Sequence, residues 1–240
     1  MEVNCKFSQS DDKCEKSEQY PFRELIGALN YLSTGTRPDI TNSIAKLSQF
    51  LNSSNEECWK ATKRVLRYLK RTIEYGLVFK KTGKSLQGYS DSDWGGCLLD
   101  RRSYSGYVFM LGGGCISWKS QKQKCVATST CEAEYVSLSS AMKEAVYLNS
   151  LLTEIGLSKF AQLTLHVDNQ GAMCLANDPM FHSRSKHIDI RHHFIRGILK
   201  DNKSIELSYL PTDSMLADIL TKALPRVKHY KCMSGLGITC

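Results

Sequence analysis

The 240-residue sequence predicts an α/β fold, in which a mixed sheet of five strands is flanked by helices and preceded by a small α-helical segment. Two patterns lead to this prediction. Residues 21–75 carry apolar side chains at helical spacing. From residue 86 onward, β-type and helical segments follow one another in the order β-β-β-α-β-α-α-β-α. Three consecutive strands followed by alternating elements are typical of a mixed sheet with helices on its faces.

Three helices are predicted in the helical segment. The first begins at Pro21 and ends where the sequence Thr-Gly-Thr-Arg-Pro, at residues 34–38, breaks the apolar pattern. A second helix follows Pro38, and a loop with N-cap chemistry then leads to a third helix over residues 56–73. The apolar stripe predicted for the third helix consists of Trp59, Thr62, Leu66, Leu69 and Ile73.

The strands begin after Gly83. A strand at residues 86–91 is followed by one at residues 104–111, which is rich in aromatic and branched side chains. Three glycines at residues 112–114 indicate a turn, so that residues 115–119 return as the second strand of a hairpin. The remaining elements are a long helix at 130–155, a strand at 163–167, a short helix from 169, a helix around 189–199, a strand at 204–210 and a helix at 214–224.

The composition, 42% hydrophobic and 23% charged, is that of an ordinary globular protein. No apolar run approaches the roughly 20 residues of a membrane span, and the polar N-terminal residues lack the apolar stretch of a signal peptide. We therefore expect an intracellular protein without membrane contact, whose ten cysteines are free thiols. The predicted divisions are a flexible lead at 1–20, a helical segment at 21–82, the sheet domain at 83–225 and a tail at 226–240.

The net charge of +8 is concentrated in one part of the chain. Residues 60–84 contain nine basic residues and one acid, Glu74, so this stretch has the same excess charge as the whole chain. On the third helix, six bases share one face without the interleaved acids that form i,i+4 ion pairs on an ordinary solvated face. They are Lys60, Lys63, Arg64, Arg67, Lys70 and Arg71. A solvated face is the alternative, but such dense like charges favour contact with the phosphates of a nucleic acid.

Four acidic residues stand where predicted elements end or begin. Asp91 closes the first strand, and Glu134 lies near the start of the long helix. Asp168 ends the fourth strand, and Asp218 lies on the last helix. Strand ends and helix starts at one edge of such a sheet gather at a single cleft, where four carboxylates would repel one another. Divalent cations with a preference for oxygen ligands, Mg²⁺ or Mn²⁺, would relieve this repulsion. For each acid taken alone, a solvated surface role is the alternative.

Two of these acids have acidic neighbours that compete for the same role. Ser129 and Glu132 fit a capping box, which gives Glu132 a structural function. Glu134 instead extends the inward apolar stripe of the helix, where a carboxylate needs a partner. Asp91 stands at the strand end, whereas Asp93 precedes Trp-Gly-Gly and is expected to belong to the turn.

Several sequence blocks, taken in order, resemble one known family. They are GYSDSDWGG at 88–96, RRSYSGYVFML at 101–111, ISWKSQ at 116–121, STCEAEY at 129–135, VDNQ at 167–170, KHIDIRHHFIR at 186–196 and ADILTK at 217–222. These blocks resemble the ribonuclease H region of copia-type retrotransposon Pol polyproteins. Upstream, LIGALNYLSTGTRPDI at 25–40 and WKATKRVLRYLKRT at 59–72 resemble the end of the preceding reverse transcriptase module. The similarity covers roughly residues 20–225.

The resemblance implies a ribonuclease H-like fold and cleavage of the RNA strand of RNA–DNA hybrids. It implies that two Mg²⁺ or Mn²⁺ ions are bound by the four catalytic carboxylates, Asp91, Glu134, Asp168 and Asp218. The implied partners are the hybrid and a reverse transcriptase polymerase module, in a cytoplasmic virus-like particle or in the nucleus. Lys119, Lys122 and the basic helix are candidates for contact with the DNA strand. The sequence has no Tyr-x-Asp-Asp motif, so we expect no polymerase activity from it. The loop at 210–214 also lacks the histidine that cellular ribonucleases H carry before their last acid.

Three alternatives stay open. The chain could be a catalytically inactive, nucleic-acid-binding remnant of a transposon, and residues 21–75 could serve as a structural module that packs against a polymerase. The histidines could bind zinc, but no cysteine pair completes such a site, and the basic residues around them favour phosphate contact. The histidines concerned are His182, His187, His192 and His193.

Overall fold

The computed structural model describes residues 20–177 and 189–240, apart from the side chains of residues 189, 190 and 192. The described helices are α1 (Phe22–Gly35), α2 (Thr41–Leu47), α3 (Glu56–Arg71), α4 (Thr130–Glu154), α5 (Gln170–Asn177), α6 (Asp189–Asp201), α7 (Asp218–Thr221) and α8 (Arg226–Gly235). The described strands are β1 (Gly76–Leu77), β2 (Leu86–Asp93), β3 (Tyr104–Leu111), β4 (Gly114–Lys122), β5 (Leu163–Val167), β6 (Ile205–Tyr209) and β7 (Ile238–Thr239).

A five-stranded sheet in the order β4-β3-β2-β5-β6 forms the centre of the fold. β2, β3 and β4 pair in antiparallel fashion, whereas β5 pairs in parallel with both β2 and β6. The predicted mixed sheet is therefore confirmed, and so is the predicted order of its elements. Because β2 is the central strand, a residue at its end has neighbours from both halves of the sheet.

The long helix α4 covers one face of the sheet. Its buried side chains Tyr135, Leu138 and Met142 belong to a core that also contains Phe109 of β3 and Leu165 of β5. The helix begins as predicted, because the Ser129 hydroxyl accepts a hydrogen bond from the backbone N–H of Glu132. In the described part of the chain, no helix is both long and apolar enough to cross a membrane.

The helical segment has a core of its own. Phe22, Ile26 and Leu29 of α1 pack with side chains from α2 and α3. The stripe predicted for the third helix is partly wrong. The helix buries Cys58, Thr62 and Val65, whereas Leu66 is 39% exposed and Ile73, beyond the helix end, is 75% exposed. The structure thus rotates the buried face by about one position relative to the prediction.

The opposite face of the sheet receives α7, α8 and the helical segment. Cys232 and Met233 of α8 are buried with Val108 and Met110 of β3, and β7 pairs with the short strand β1. Residues 226–240, set apart in the sequence as a tail, therefore contribute to the packing of the sheet. The indole N–H of Trp118 donates a 2.8 Å hydrogen bond to the carbonyl of Ser33, which joins β4 to α1. The helical segment consequently packs directly on the sheet.

Candidate metal centre

Asp91 lies on the central strand β2 and is completely buried. Its Oδ2 accepts a hydrogen bond from the hydroxyl of Thr221, and its Oδ1 accepts one of 2.8 Å from the ammonium group of Lys222. Burial raises the pKa of Asp91 to about 6, against the lowering effect of Lys222 and with a further rise from the nearby charge of Asp218. A buried carboxylate of this kind favours a bound cation or a proton.

Glu134 comes from the first turns of α4 and is also buried, at 7% exposure. Its Oε1 accepts a 3.2 Å hydrogen bond from the backbone N–H of Ser92, the residue after Asp91. Its Oε2 is buried and has no hydrogen-bond partner among the described residues. Burial, followed by the charges of Asp91 and Asp168, raises the pKa of Glu134 well above its usual value. This oxygen needs a partner that the described chain does not supply.

Asp168 directly follows β5, the parallel neighbour of β2. The register pairs Ser90 with Val167, so Asp91 and Asp168 both follow the last pair of the parallel ladder and lie at the same edge of the sheet. The prediction that Asp91 closes its strand is wrong, because β2 continues to Asp93. The hydroxyl of Thr212 donates a 2.8 Å hydrogen bond to Oδ2 of Asp168.

Asp91, Glu134 and Asp168 each offer an oxygen atom, and these three oxygens lie within 4.8 Å of one another. An all-carboxylate donor set of this kind suits Mg²⁺ or Mn²⁺. The unpartnered Oε2 of Glu134 fits the same interpretation.

Asp218 opens α7 and is completely buried, but it lies outside this group of three. Its Oδ1 accepts a 2.7 Å hydrogen bond from Lys222, the lysine that also binds Asp91, and its Oδ2 forms an ion pair with Lys228 of α8. Of the four carboxylates predicted to converge, the structure thus brings three together and links the fourth to Asp91 through a lysine.

A close approach of α7 to the sheet positions these groups. Gly106 of β3 pairs with Asp91, and a Cβ atom at Gly106 would lie 2.8 Å from side-chain carbons of Leu220 and Thr221. Only the absence of a side chain at position 106 allows α7 to pack this near to Asp91. On the far side of α7, the side-chain amide of Asn42 donates a 2.8 Å hydrogen bond to the carbonyl of Leu220.

Asp93 belongs to the end of β2, so its assignment to the turn is wrong. Its Oδ1 accepts a hydrogen bond from the backbone N–H of Tyr104, its partner in the antiparallel register. Burial raises the pKa of Asp93 to about 6, and the hydrogen bond from Tyr104 opposes this shift. Asp93 is thus engaged in the β2–β3 pairing, and the choice of Asp91 over Asp93 as the candidate ligand agrees with the geometry.

The basic residues singled out in the sequence differ in their surroundings. All six bases of α3 are exposed, and so is Lys119 of β4. The expected absence of ion pairs on the α3 face is wrong for Lys60, which pairs with Glu56 at 2.9 Å.

Lys122 does not have the free side chain that phosphate contact requires. Its ammonium group donates hydrogen bonds to Gln49 at 2.6 Å and to Asp100 at 2.9 Å. Successive residues of a strand point to opposite faces of the sheet. Ser117, five positions before Lys122 on β4, donates a hydrogen bond to Glu144 of α4 on one face. Lys122 therefore points to the other face, toward the helical segment. Lys122 is therefore a structural residue of the sheet, and Lys119 lies on the other side.

Of the four histidines considered for zinc, His193 is the one whose side chain is among the described residues. His182 and His187 lie outside the described residues, as does the side chain of His192, whereas His193 is exposed on α6.

Three residues of the site were not predicted from the sequence: Thr221, Lys222 and Lys228. The sequence offered one signal for the ion pair between Asp218 and Lys222, which is their spacing of four residues on a predicted helix.

The fold combines a three-stranded antiparallel meander, a long helix and two parallel strands, with carboxylates on β2, on α4 and directly after β5. Together these features define a ribonuclease H-like α/β fold.

No protein-family model matches the chain. Curated proteins that are similar to it over most of its length include two retrotransposon polyproteins from plants. The Pol polyprotein of transposon TNT 1-94 from Nicotiana tabacum is 39% identical over 218 residues, which are 91% of this chain. The Pol polyprotein of transposon RE1 from Arabidopsis thaliana is 42% identical over 219 residues, again 91% of this chain. The chain belongs to the family of copia-type retrotransposon Pol polyproteins.

The chain spans 16% and 15% of the length of these two relatives. Among solved structures, LC11-RNase H1, isolated from compost by a metagenomic approach, matches with a TM-score of 0.45 and 14% identity. That match covers 57% of this chain and 93% of the other.

Proposed function

We propose that the chain is a metal-dependent endonuclease that hydrolyses the RNA strand of RNA–DNA hybrids. The observation that carries this proposal is the convergence of Asp91, Glu134 and Asp168, each of which offers an oxygen within 4.8 Å of the others. Membership of the Pol family supports the choice of substrate. The predicted division into a helical connection segment at 21–82 and a nuclease unit at 83–225 is part of the proposal.

Two divalent cations would be held by the carboxylates, with Asp91 as the shared ligand because it lies between Glu134 and Asp168 on one side and Asp218 on the other. When bound, such cations supply Lewis acidity toward a phosphodiester and lower the pKa of a water molecule. Glu134 is oriented for this role by the backbone N–H of Ser92, and Asp168 by the hydroxyl of Thr212. Both hydrogen bonds restrict the rotation of the carboxylates, so that a cation meets fixed ligands.

Binding of the hybrid would use exposed bases. The bases of α3 and Lys119 of β4 are exposed, whereas the ammonium group of Lys122 is bonded to Gln49 and Asp100. Contacts of this kind read the phosphate backbone, so we expect no sequence preference. A polymerase module of the same polyprotein is the proposed protein partner, on the side of the helical segment.

A hybrid with a labelled RNA strand tests the proposal. Purified chain should cleave it with Mg²⁺ and not with EDTA. Replacement of a ligand, Asp91→Asn or Asp168→Asn, should reduce the rate by more than about 100-fold, since even the partners of metal ligands are worth 10–100-fold. Asp213→Asn, in the exposed loop beside Thr212, is the matched control and should leave the rate unchanged. Unchanged cleavage by both ligand variants would refute the assignment.

One observation favours the second candidate, a binding protein without activity. Both oxygens of Asp218 are paired with lysines, so this half of the site is neutralised by the chain itself. In that case the wild-type chain would bind the hybrid and leave it intact with Mg²⁺ and with Mn²⁺.

A further inference from the structure

Lys222 lies between two buried carboxylates, Asp91 and Asp218, that come from distant parts of the sequence. Its ammonium group lies 2.8 Å from Oδ1 of Asp91 and 2.7 Å from Oδ1 of Asp218. The two aspartates are 127 positions apart in sequence, and both are completely buried. Lys222 is therefore the charged group that connects the central strand to α7.

The charges around Lys222 make it a strongly bound cation. Burial alone would lower the pKa of Lys222, but the carboxylates of Asp91 and Asp218 raise it overall. The remaining oxygen of Asp91 accepts from Thr221, and that of Asp218 pairs with Lys228. Oδ2 of Asp218, like Oε2 of Glu134, has no hydrogen-bond partner among the described residues, but it differs from Oε2 in having the charge of Lys228 beside it.

An ammonium group and a divalent cation cannot both occupy the space between the same two carboxylates. A divalent cation held by Asp91 and Asp218 would compete with Lys222 for their carboxylate oxygens, and two cations at such short separation repel each other in a poorly solvated site. Lys222 has a route out, because its side chain is 34% exposed and the residue follows the last turn of α7 in an extended conformation. The side chain can therefore leave without unfolding α7.

We propose that Lys222 is an internal counter-cation of the ion-free site, which stabilises Asp91 and Asp218 and is displaced when a divalent cation binds between them. The inference rests on the metal centre of the proposed function and adds a competitor to it. Its consequence is that metal binding at the Asp218 half is weakened by the chain itself, whereas the cluster of Asp91, Glu134 and Asp168 keeps an oxygen ready for the first cation.

The test compares Lys222→Met, which keeps the length of the side chain and removes the charge, with wild type. Calorimetric titration with Mn²⁺ and thermal unfolding in EDTA are the two measurements. We expect the variant to unfold at a lower temperature in EDTA, to bind Mn²⁺ at least about tenfold more tightly, and to gain more thermal stability from Mn²⁺ than wild type does. Lys231→Met is the matched control, because Lys231 is exposed on α8 and bonds the backbone of Asp213. It should change neither quantity.

The outcomes separate this inference from the proposed function. Mn²⁺ binding by wild type with an equal or weaker affinity in Lys222→Met overturns the competition and leaves the metal centre standing. No Mn²⁺ binding by either protein overturns the metal centre itself. If Lys222→Met does not fold, the lysine ammonium resonances of ¹⁵N-labelled wild type decide. A protected ammonium signal in EDTA that disappears on addition of Mg²⁺ supports displacement, and a signal that persists at saturating Mg²⁺ overturns it.

Discussion

The side-chain amide of Asn42 donates a 2.8 Å hydrogen bond to the backbone carbonyl of Leu220, a residue 178 positions further along the chain. Asn42 is buried on α2 of the helical segment, and Leu220 lies on α7 between Asp218 and Thr221. The ammonium group of Lys46 lies 3.5 Å from the carbonyl of Thr221 on the same helix. The helical segment thus contacts the short helix that carries the fourth carboxylate.

Asn42→Ala should therefore affect both stability and activity. The substitution leaves the Leu220 carbonyl buried without its partner, which should lower the free energy of unfolding by about 1–3 kcal/mol. Because α7 also holds Thr221 against Asp91, hybrid cleavage should fall at temperatures where the variant is fully folded. Urea unfolding and a cleavage assay measure the two effects.

Asn30→Ala is the control for this prediction. Asn30 is exposed on α1, so its replacement should change the stability by less than about 0.5 kcal/mol. Equal stability of the Asn42 and Asn30 variants would show that the contact between α2 and α7 contributes nothing.

Glu134→Gln should make the ion-free protein more stable at high pH. The folded protein holds the Glu134 proton more tightly than the unfolded chain, because burial raises the pKa of this carboxyl. Ionised Glu134 therefore destabilises the folded state at pH 8, and stability returns as the pH falls through the raised pKa. In EDTA at pH 8, the variant should therefore have a higher free energy of unfolding than wild type.

The pH dependence of the difference is the decisive part of the Glu134 measurement. Denaturant unfolding at several pH values should show the gap between variant and wild type closing toward acidic pH. Glu154→Gln, at the exposed end of α4, should show no gap at any pH. A variant that is less stable than wild type at pH 8 would contradict the idea that Glu134 is held for a cation.

The sheet was predictable because its signals are local. Residues 104–111 have the composition of a buried strand, and Gly112 and Gly113 adopt the positive φ angles of a tight turn. The two-residue strands β1 and β7 were not predictable, since two residues are too few for an alternating pattern and their pairing joins distant parts of the chain. Helix α8 was not predicted either, because its sequence shows little separation of apolar and polar faces.

The candidate site was predictable for residues near strand ends, and not for those that depend on tertiary contacts. Asp91 and Asp168 follow the last pair of two adjacent parallel strands, so their meeting follows from the order of elements. The second partner of Lys222 is Asp91, 131 positions away, and no local pattern predicts such a pair. Lys122 was assigned to nucleic acid because a base on a strand offers no sign of Gln49 and Asp100 beside it.

Removal of exposed bases from α3 should weaken hybrid binding and make it less sensitive to salt. Arg67, Lys70 and Arg71 are all exposed near the end of the helix. If each contacts one phosphate, replacing all three by alanine should reduce the slope of log K against log salt concentration by about 2 to 3. Fluorescence anisotropy with a labelled hybrid, in EDTA and at several salt concentrations, measures the slope.

The matched variant for this prediction replaces Lys200 and Lys203. Both are exposed, and they precede β6 at the edge of the sheet opposite to Asp168. Their removal should leave the slope within about 1 of the wild-type value. An equal reduction in both variants would mean that binding follows net charge and has no preference for the α3 face.

Arg37→Ala should destabilise the protein strongly, because Arg37 connects the residues that follow α1 to Thr72 at the end of α3. Its guanidinium donates to both oxygens of Asp39, at 3.0 and 2.7 Å, and to the carbonyl and hydroxyl of Thr72, at 3.1 and 2.7 Å. Tyr68 donates a further hydrogen bond of 2.5 Å to Asp39. Truncation of Arg37 leaves the buried charge of Asp39 without its cation, and removal of one partner from such a pair reduces stability by about 3–5 kcal/mol.

Arg71→Ala, which removes an exposed arginine one position before Thr72, is the control and should change stability by less than about 0.5 kcal/mol. Guanidinium unfolding of the two variants measures the difference, and a loss below about 1 kcal/mol for Arg37→Ala would show that this buried pair does not hold α3 to the rest of the segment.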